Sequence, residues 1–177
     1  MEKIVEKLDR ISEIFGRIAG YLMLIGVTLV LTEVIIRAFF DKTLYITEEY
    51  TGYLMVAITF LGLAYTLKEK GHIRMVFLQK ALKGKARIFL DMYAFTIGLV
   101  IFAIITKTTG SFFWDSVISQ SRSMQISETY LAIPQFVMPL GSFLVTLQFI
   151  AELLRSIIKL RSGVIEEEEV ESEALGR

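Results

Sequence analysis

Between Leu31 and Phe40 the chain reads LTEVIIRAFF, which sets a carboxylate, Glu33, and a guanidinium, Arg37, four residues apart inside a long apolar run. A lone carboxylate in such a run would suit proton-coupled transport. A carboxylate with a basic neighbour is different, because the acid-first i, i+4 order is the favourable one for a helical pair. On a helix that enters the apolar layer at Ile18, a rise of about 1.5 Å per residue lifts Glu33 by about 22 Å and Arg37 by about 28 Å. Arg37 then reaches the far interface, where its head can snorkel into water, and the cost falls below the roughly 2.5–3.5 kcal/mol of a mid-membrane charge. Two readings follow. Either the pair stabilises packing near the surface, or it faces a partner or a solute path.

Other polar residues admit similar pairs of readings. In TEEY, Thr47 is a candidate N-cap and Glu48 and Glu49 sit at the positive end of a helix dipole; alternatively Arg37 or a partner's basic group binds one of them. Gly52, Met55, Thr59, Gly62 and Thr66 recur every three or four residues, a largely small-residue stripe of the kind that lets helices approach closely in lipid. It would serve packing within the chain or a subunit interface. Asp91 lies one turn after Arg87, and Arg155 three residues after Glu152, so both read as local ion pairs, with Gln148 nearby. The single histidine, His72, reads as a hydrogen-bonding residue at headgroup level. With one histidine and no cysteine, thiolate sites and bis-histidine haem ligation are excluded. Pro134 and Pro139 stand near the start of the last apolar run, and no second broken helix accompanies them to build a two-half transport site. The residues offer no nucleophile–base constellation and no phosphate loop, so the expectation is a non-enzyme without cofactor or metal.

The elements that position these groups are transmembrane helices. Of 177 residues 54% are hydrophobic, and the mean hydropathy is +0.56. Crossing a hydrocarbon layer about 30 Å thick takes roughly 20 apolar residues. Residues 18–40, 50–67, 88–106 and 131–154 meet or approach that length, which predicts an all-α integral membrane protein with four crossings. Lys and Arg flanking the runs number fourteen on one side and three on the other, placing both termini in the cytoplasm. Ile4, Leu8, Ile11, Phe15 and Ile18 give residues 1–17 an amphipathic pattern, read as a helix on the inner membrane surface. Residues 72–85 predict a second, short interfacial helix. The membrane domain thus spans 1–161, and the glutamate-rich residues 162–177 form a disordered tail. Without that tail the body carries a net charge of +5, suited to anionic lipid headgroups rather than nucleic acid. The outer segment 108–130, with Phe112, Phe113 and Trp114, is read as an interfacial belt and a connector long enough to touch an extracytoplasmic partner.

Taken in order, RAFF (Arg37–Phe40), ITEEY (Ile46–Tyr50), TFLGLA (Thr59–Ala64), GHIRM (Gly71–Met75), LD (Leu90–Asp91) and IPQFVMPLG (Ile133–Gly141) resemble the small, DctQ-like permease subunit of tripartite ATP-independent periplasmic (TRAP) transporters. The resemblance covers roughly residues 10–160. It departs at Ile46 and Gln135–Phe136, where the family often has tryptophan. It implies a bacterial or archaeal inner-membrane protein that packs beside a large permease subunit and supports sodium-coupled uptake of small organic anions, commonly carboxylates, delivered by a periplasmic substrate-binding protein. The family gives Arg37, Glu48, Glu49 and His72 no chemical role. The rival readings are a self-sufficient proton-coupled multidrug exporter, a redox or quinone subunit, and a scaffold of an unrelated membrane complex.

Overall fold

The computed structural model describes residues 2–69 and 85–162. The interfacial helix expected over 72–85, with His72, lies outside those residues apart from Lys85, and so does the acidic tail after Ser162. The elements are α1 (Glu2–Phe40), α2 (Ile46–Lys68), α3 (Lys85–Ile118), a short α4 (Ala132–Gln135) and α5 (Val137–Ser162). Among the described residues four helices are long and apolar enough to cross a membrane, α4 and α5 together making the fourth.

The expected division of α1 at residue 17 is not observed. Its 39 residues form one helix, about 58 Å long at 1.5 Å per residue, nearly twice the thickness of the hydrocarbon layer. The face of α1 that packs against the chain's own helices lies one position over from the apolar stripe expected to rest on the membrane. Val5, Ser12 and Ala19 are buried, while Ile4, Ile11 and Ile18 are exposed. The seven-residue spacing is that of helices packed knobs-into-holes. It turns the polar edge of α1 inward because α5 supplies hydrogen-bonding partners there.

At the start of α2 the expected cap is corrected. The N-cap is Tyr45, with no side-chain cap hydrogen bond, and Thr47 lies inside the first turn. The helix begins four residues before the expected crossing, so Glu48 and Glu49 belong to it.

α3 continues twelve residues past its expected end at 106. Thr106, Thr108, Thr109 and Ser111 donate to the carbonyls four residues earlier, at 2.7–3.1 Å. Their hydroxyls are satisfied within the helix rather than by competing turns, so a polar run that reads as a connector stays helical.

The last crossing is interrupted at Phe136. Pro139 has no N–H to offer the carbonyl of Gln135, whereas Pro134 falls in the first turn of α4, where an N–H would have no intrahelical partner.

α5 is the central helix. α1 packs on α2 and α5, and both α2 and α3 pack on α5. Accordingly 39% of the most apolar window of the last crossing is buried, against 6% for α1 and for α3. Ala19, Leu61, Ala64, Leu67, Leu144 and Val145 form the core. Gly141 permits a close approach of two backbones, since a Cβ there would lie 2.5 Å from the carbonyl oxygen of Phe60.

Candidate functional site

The named polar residues gather at the two ends of the bundle. At the end holding the α1–α2 turn, Glu33 is largely covered and its Oε2 accepts from the backbone N–H of Leu44 at 2.8 Å and from the Thr47 hydroxyl at 3.3 Å. Its expected partner Arg37 is farther, 4.0 Å away, with a side chain 69% exposed. Glu33 therefore acts chiefly as a cap supplied by α1 to the entry of α2, whose own N-cap residue makes no side-chain bond. Leu44 also holds Thr47 through its carbonyl, at 3.1 Å.

Glu49 is buried, and hydroxyls rather than a basic group hold it. Tyr53 donates to its Oε1 at 2.6 Å, and Ser127 donates to its Oε2. Ser127 belongs to the segment between α3 and α4, which doubles back on itself through the isolated bridge Arg122–Tyr130 and the backbone bonds from Ser123 N–H to Thr129 and from Leu131 N–H to Ser121. Gln120 and Glu128 adopt positive φ, 49° and 45°, at its two bends. The loop is thus pinned over the start of α2, and the sequence offered no hint of that pairing between residues 78 positions apart. Exposed Glu48 lines a cleft of about 310 Å³ beside Arg37, Tyr45, Gln125 and Ile126.

At the opposite end, Ser12 donates to Gln148 at 2.7 Å, Gln148 donates to Asp9 at 2.9 Å, and Arg155 bridges Asp9 and Glu152 at 2.5 Å each. The Glu152–Arg155 contact follows from the i, i+3 spacing. The contribution of Asp9 and Ser12 was missed, although the Val5–Ser12–Ala19 heptad carries the signal. A second group ties α1 to α2: Lys68 contacts Glu13 at 2.5 Å and Glu69 at 3.1 Å.

The stripe on α2 is not the packing face. Ala57, Leu61, Ala64 and Leu67 are buried instead. Gly52 has open space where a Cβ would stand, Met55 and Thr59 are exposed, and Gly62 alone of the stripe's glycines meets another helix, at 3.8 Å from the Ala19 Cβ. Asp91 lies near the start of α3, and the side chain of Arg87, its expected partner, is outside the described residues. Phe113 meets Phe136 edge-on at 5.6 Å, leaving Phe112 and Trp114 exposed.

Chemically, these are helix caps and inter-helix clasps: carboxylates whose lone pairs are taken up by backbone, hydroxyl, amide or guanidinium donors of the same chain. Residues 26–159 match the family described as tripartite ATP-independent periplasmic transporters, DctQ component. A comparison with curated proteins finds no match.

Proposed function

Because the chain belongs to the DctQ family of TRAP transporters, and is therefore a small membrane subunit of a transporter rather than an enzyme, we propose that it braces the large permease subunit. In this reading it supports sodium-coupled uptake of a small organic anion, a carboxylate, delivered by a periplasmic binding protein. The chain sits in the cytoplasmic membrane with both termini inside, its basic flanks against anionic headgroups and the α1–α2 turn and the loop 119–131 outside. The observation that carries the reading is the disposition of charge. Glu33, Glu49, Asp9, Glu152 and Arg155 lie at the bundle's ends, and each is engaged by groups of this chain. Between those ends Thr28, Thr59 and Thr96 bond carbonyls of their own helices. Such groups hold helices together and leave the cargo's path to another subunit.

The exporter alternative needs a carboxylate free to exchange protons, whereas Glu33 is tied to the Leu44 amide. Purification in mild detergent tests the reading. One larger, very hydrophobic protein should accompany the chain at equal stoichiometry, and sealed vesicles holding the chain alone should accumulate no solute. A stable homodimer lacking that partner, or uptake by the chain alone, refutes it.

A further inference from the structure

The apolar runs of the four crossings do not stand at one height in the bundle. α5 serves as the ruler, because α1, α2 and α3 all pack against it. At its Gln148–Phe149 step α1 presents Ser12, bonded to Gln148 at 2.7 Å, with exposed Arg10 close by. At the same step α3 presents Gly98, whose missing Cβ would meet the Phe149 ring. Gly98 lies near the middle of the apolar run 88–106, and Ile97, Val100 and Ile101 around it are exposed. At this height α1 is charged and α3 is apolar. About 10 Å nearer the end that carries the loop 119–131, the order is reversed. There Gly141 of α5 meets Phe60, inside the apolar run 50–67 of α2. The hydroxyl of Ser142 stands 3.3 Å from that of Thr109, which lies on α3 between exposed Lys107 and exposed Ser111, with exposed Asp115 one turn on.

We propose that the lipid bilayer lies obliquely across the bundle, displaced toward the Asp9 end where it meets α3 and toward the loop end where it meets α1 and α2. A layer square to the helices would meet the same conflict at both heights. It would immerse Arg10 beside Val100 or leave Val100 in water, and it would immerse Lys107 and Asp115 or leave Phe60 outside. An inclined layer removes both conflicts at once. The slope follows from the contacts. Phe60 and Gly98, near the middles of their runs, meet α5 eight residues apart, about 12 Å along its axis. α2 and α3 each pack on α5, which separates them by up to two interaxial distances of roughly 8–10 Å, so the inclination is about 30°. α2 allows no more, because its 23 residues run about 34 Å, enough to cross a layer about 30 Å thick at about 30°. Lipid rather than a partner helix covers the run on α3. Its exposed side chains are bulky, Phe89, Tyr93, Ile97, Val100, Ile101 and Ile104, whereas helices associate in lipid through small ones. Arg87 and Lys107 bound the run in the sequence and can reach the two interfaces by snorkelling. The last three turns of α3, residues 108–118, then rise from the membrane beside the loop, with Phe112 and Trp114 as interfacial anchors, and the arm of α1 leaves it on the opposite side. This rests on the chain's lodging in a membrane and not on which subunit it braces, so the co-purification above and the test below fail separately.

The test is spin labelling of the full chain, with any membrane partner that co-purifies, in bilayers of palmitoyl-oleoyl phosphatidylethanolamine and phosphatidylglycerol. The absence of native cysteine allows single labels at two pairs of equal height, R10C with V100C and T59C with S111C. Power saturation compares access of oxygen, which concentrates in hydrocarbon, with access of a water-soluble nickel chelate. V100C and T59C should favour oxygen, and R10C and S111C should favour nickel, the ratio differing several-fold within each pair. Equal ratios within the pairs mean that the layer lies square to the helices and overturn the proposal. So does a label at V100C that is immobile and shielded from both reagents, which would show a protein partner on that face. Where a label unfolds the bundle, an exposed neighbour on the same helix replaces it: K7C, I97C, M55C or D115C.

Discussion

Asp9 and Arg155 lie 146 positions apart in the chain and 2.5 Å apart in space. This contact joins the first helix to the last, and Gln148 and Glu152 are bonded to the same two side chains. The extension of α1 beyond the hydrocarbon layer is thereby a structural arm, docked along its polar edge.

Removing Arg155 should cost more than removing Asp9. In R155M the carboxylates of Asp9 and of buried Glu152 both lose the Arg155 guanidinium, a change of about 3 kcal/mol where a covered pair is broken. In D9N, Glu152 keeps Arg155 and the loss should be nearer 1 kcal/mol. Thermal denaturation in a mild detergent, followed by circular dichroism, gives the order. Equal shifts would mean the arm does not depend on this clasp.

Glu33 should matter more than Arg37. E33A deprives the Leu44 N–H and the Thr47 hydroxyl of their acceptor, at about 1–3 kcal/mol. R37A loses a mostly exposed contact worth about 0–1 kcal/mol. The exchanged pair, Glu33→Arg with Arg37→Glu, should also be destabilised, because an arginine cannot accept from the Leu44 amide. Melting temperatures of the three variants decide it.

Glycines predict opposite outcomes at two sites. G141A drives a Cβ into the Phe60 backbone and should destabilise by about 1–3 kcal/mol, the usual cost of overpacking. G52A meets open space and should be neutral or slightly stabilising through helix propensity. Thermal shifts measured side by side test both.

Ser127 should pin the loop between α3 and α4. S127A withdraws a hydroxyl from buried Glu49, and hydrogen exchange should accelerate at the amides of Ser123 and Leu131, whose bonds close the loop. The amides of α5 should be unaffected. Unchanged protection at Ser123 would show that the bridge Arg122–Tyr130 suffices.

The proposed orientation can be read directly, because the chain lacks cysteine. In intact cells M124C should react with an impermeant maleimide and K3C should not. Labelling in the reverse pattern would invert the topology.

Apolar run length is visible residue by residue, so the four crossings could be read before any coordinates. Local pairs such as Glu152–Arg155 were legible too, since helical spacing brings i and i+3 together whatever the rest of the chain does. Three boundaries were not. α1 runs on without a break, α3 extends to Ile118, and Phe136 interrupts the last crossing; in each case the helix followed backbone hydrogen bonding rather than hydropathy.

Composition and spacing by themselves determined that this protein is a bundle of membrane-crossing helices with charge confined to its ends. Only the tertiary structure decided which side of each helix turned inward. The faces packed against the chain's own helices are Val5–Ser12–Ala19 and Ala57–Leu61–Ala64, which leaves the stripes Ile4–Ile11–Ile18 and Gly52–Met55–Thr59 exposed. In lipid an apolar face gains little by burial, because the surroundings are equally apolar. What selects the inward face is close fit and the satisfaction of polar groups such as Ser12, Gln148 and Glu49 by partners distant in the chain.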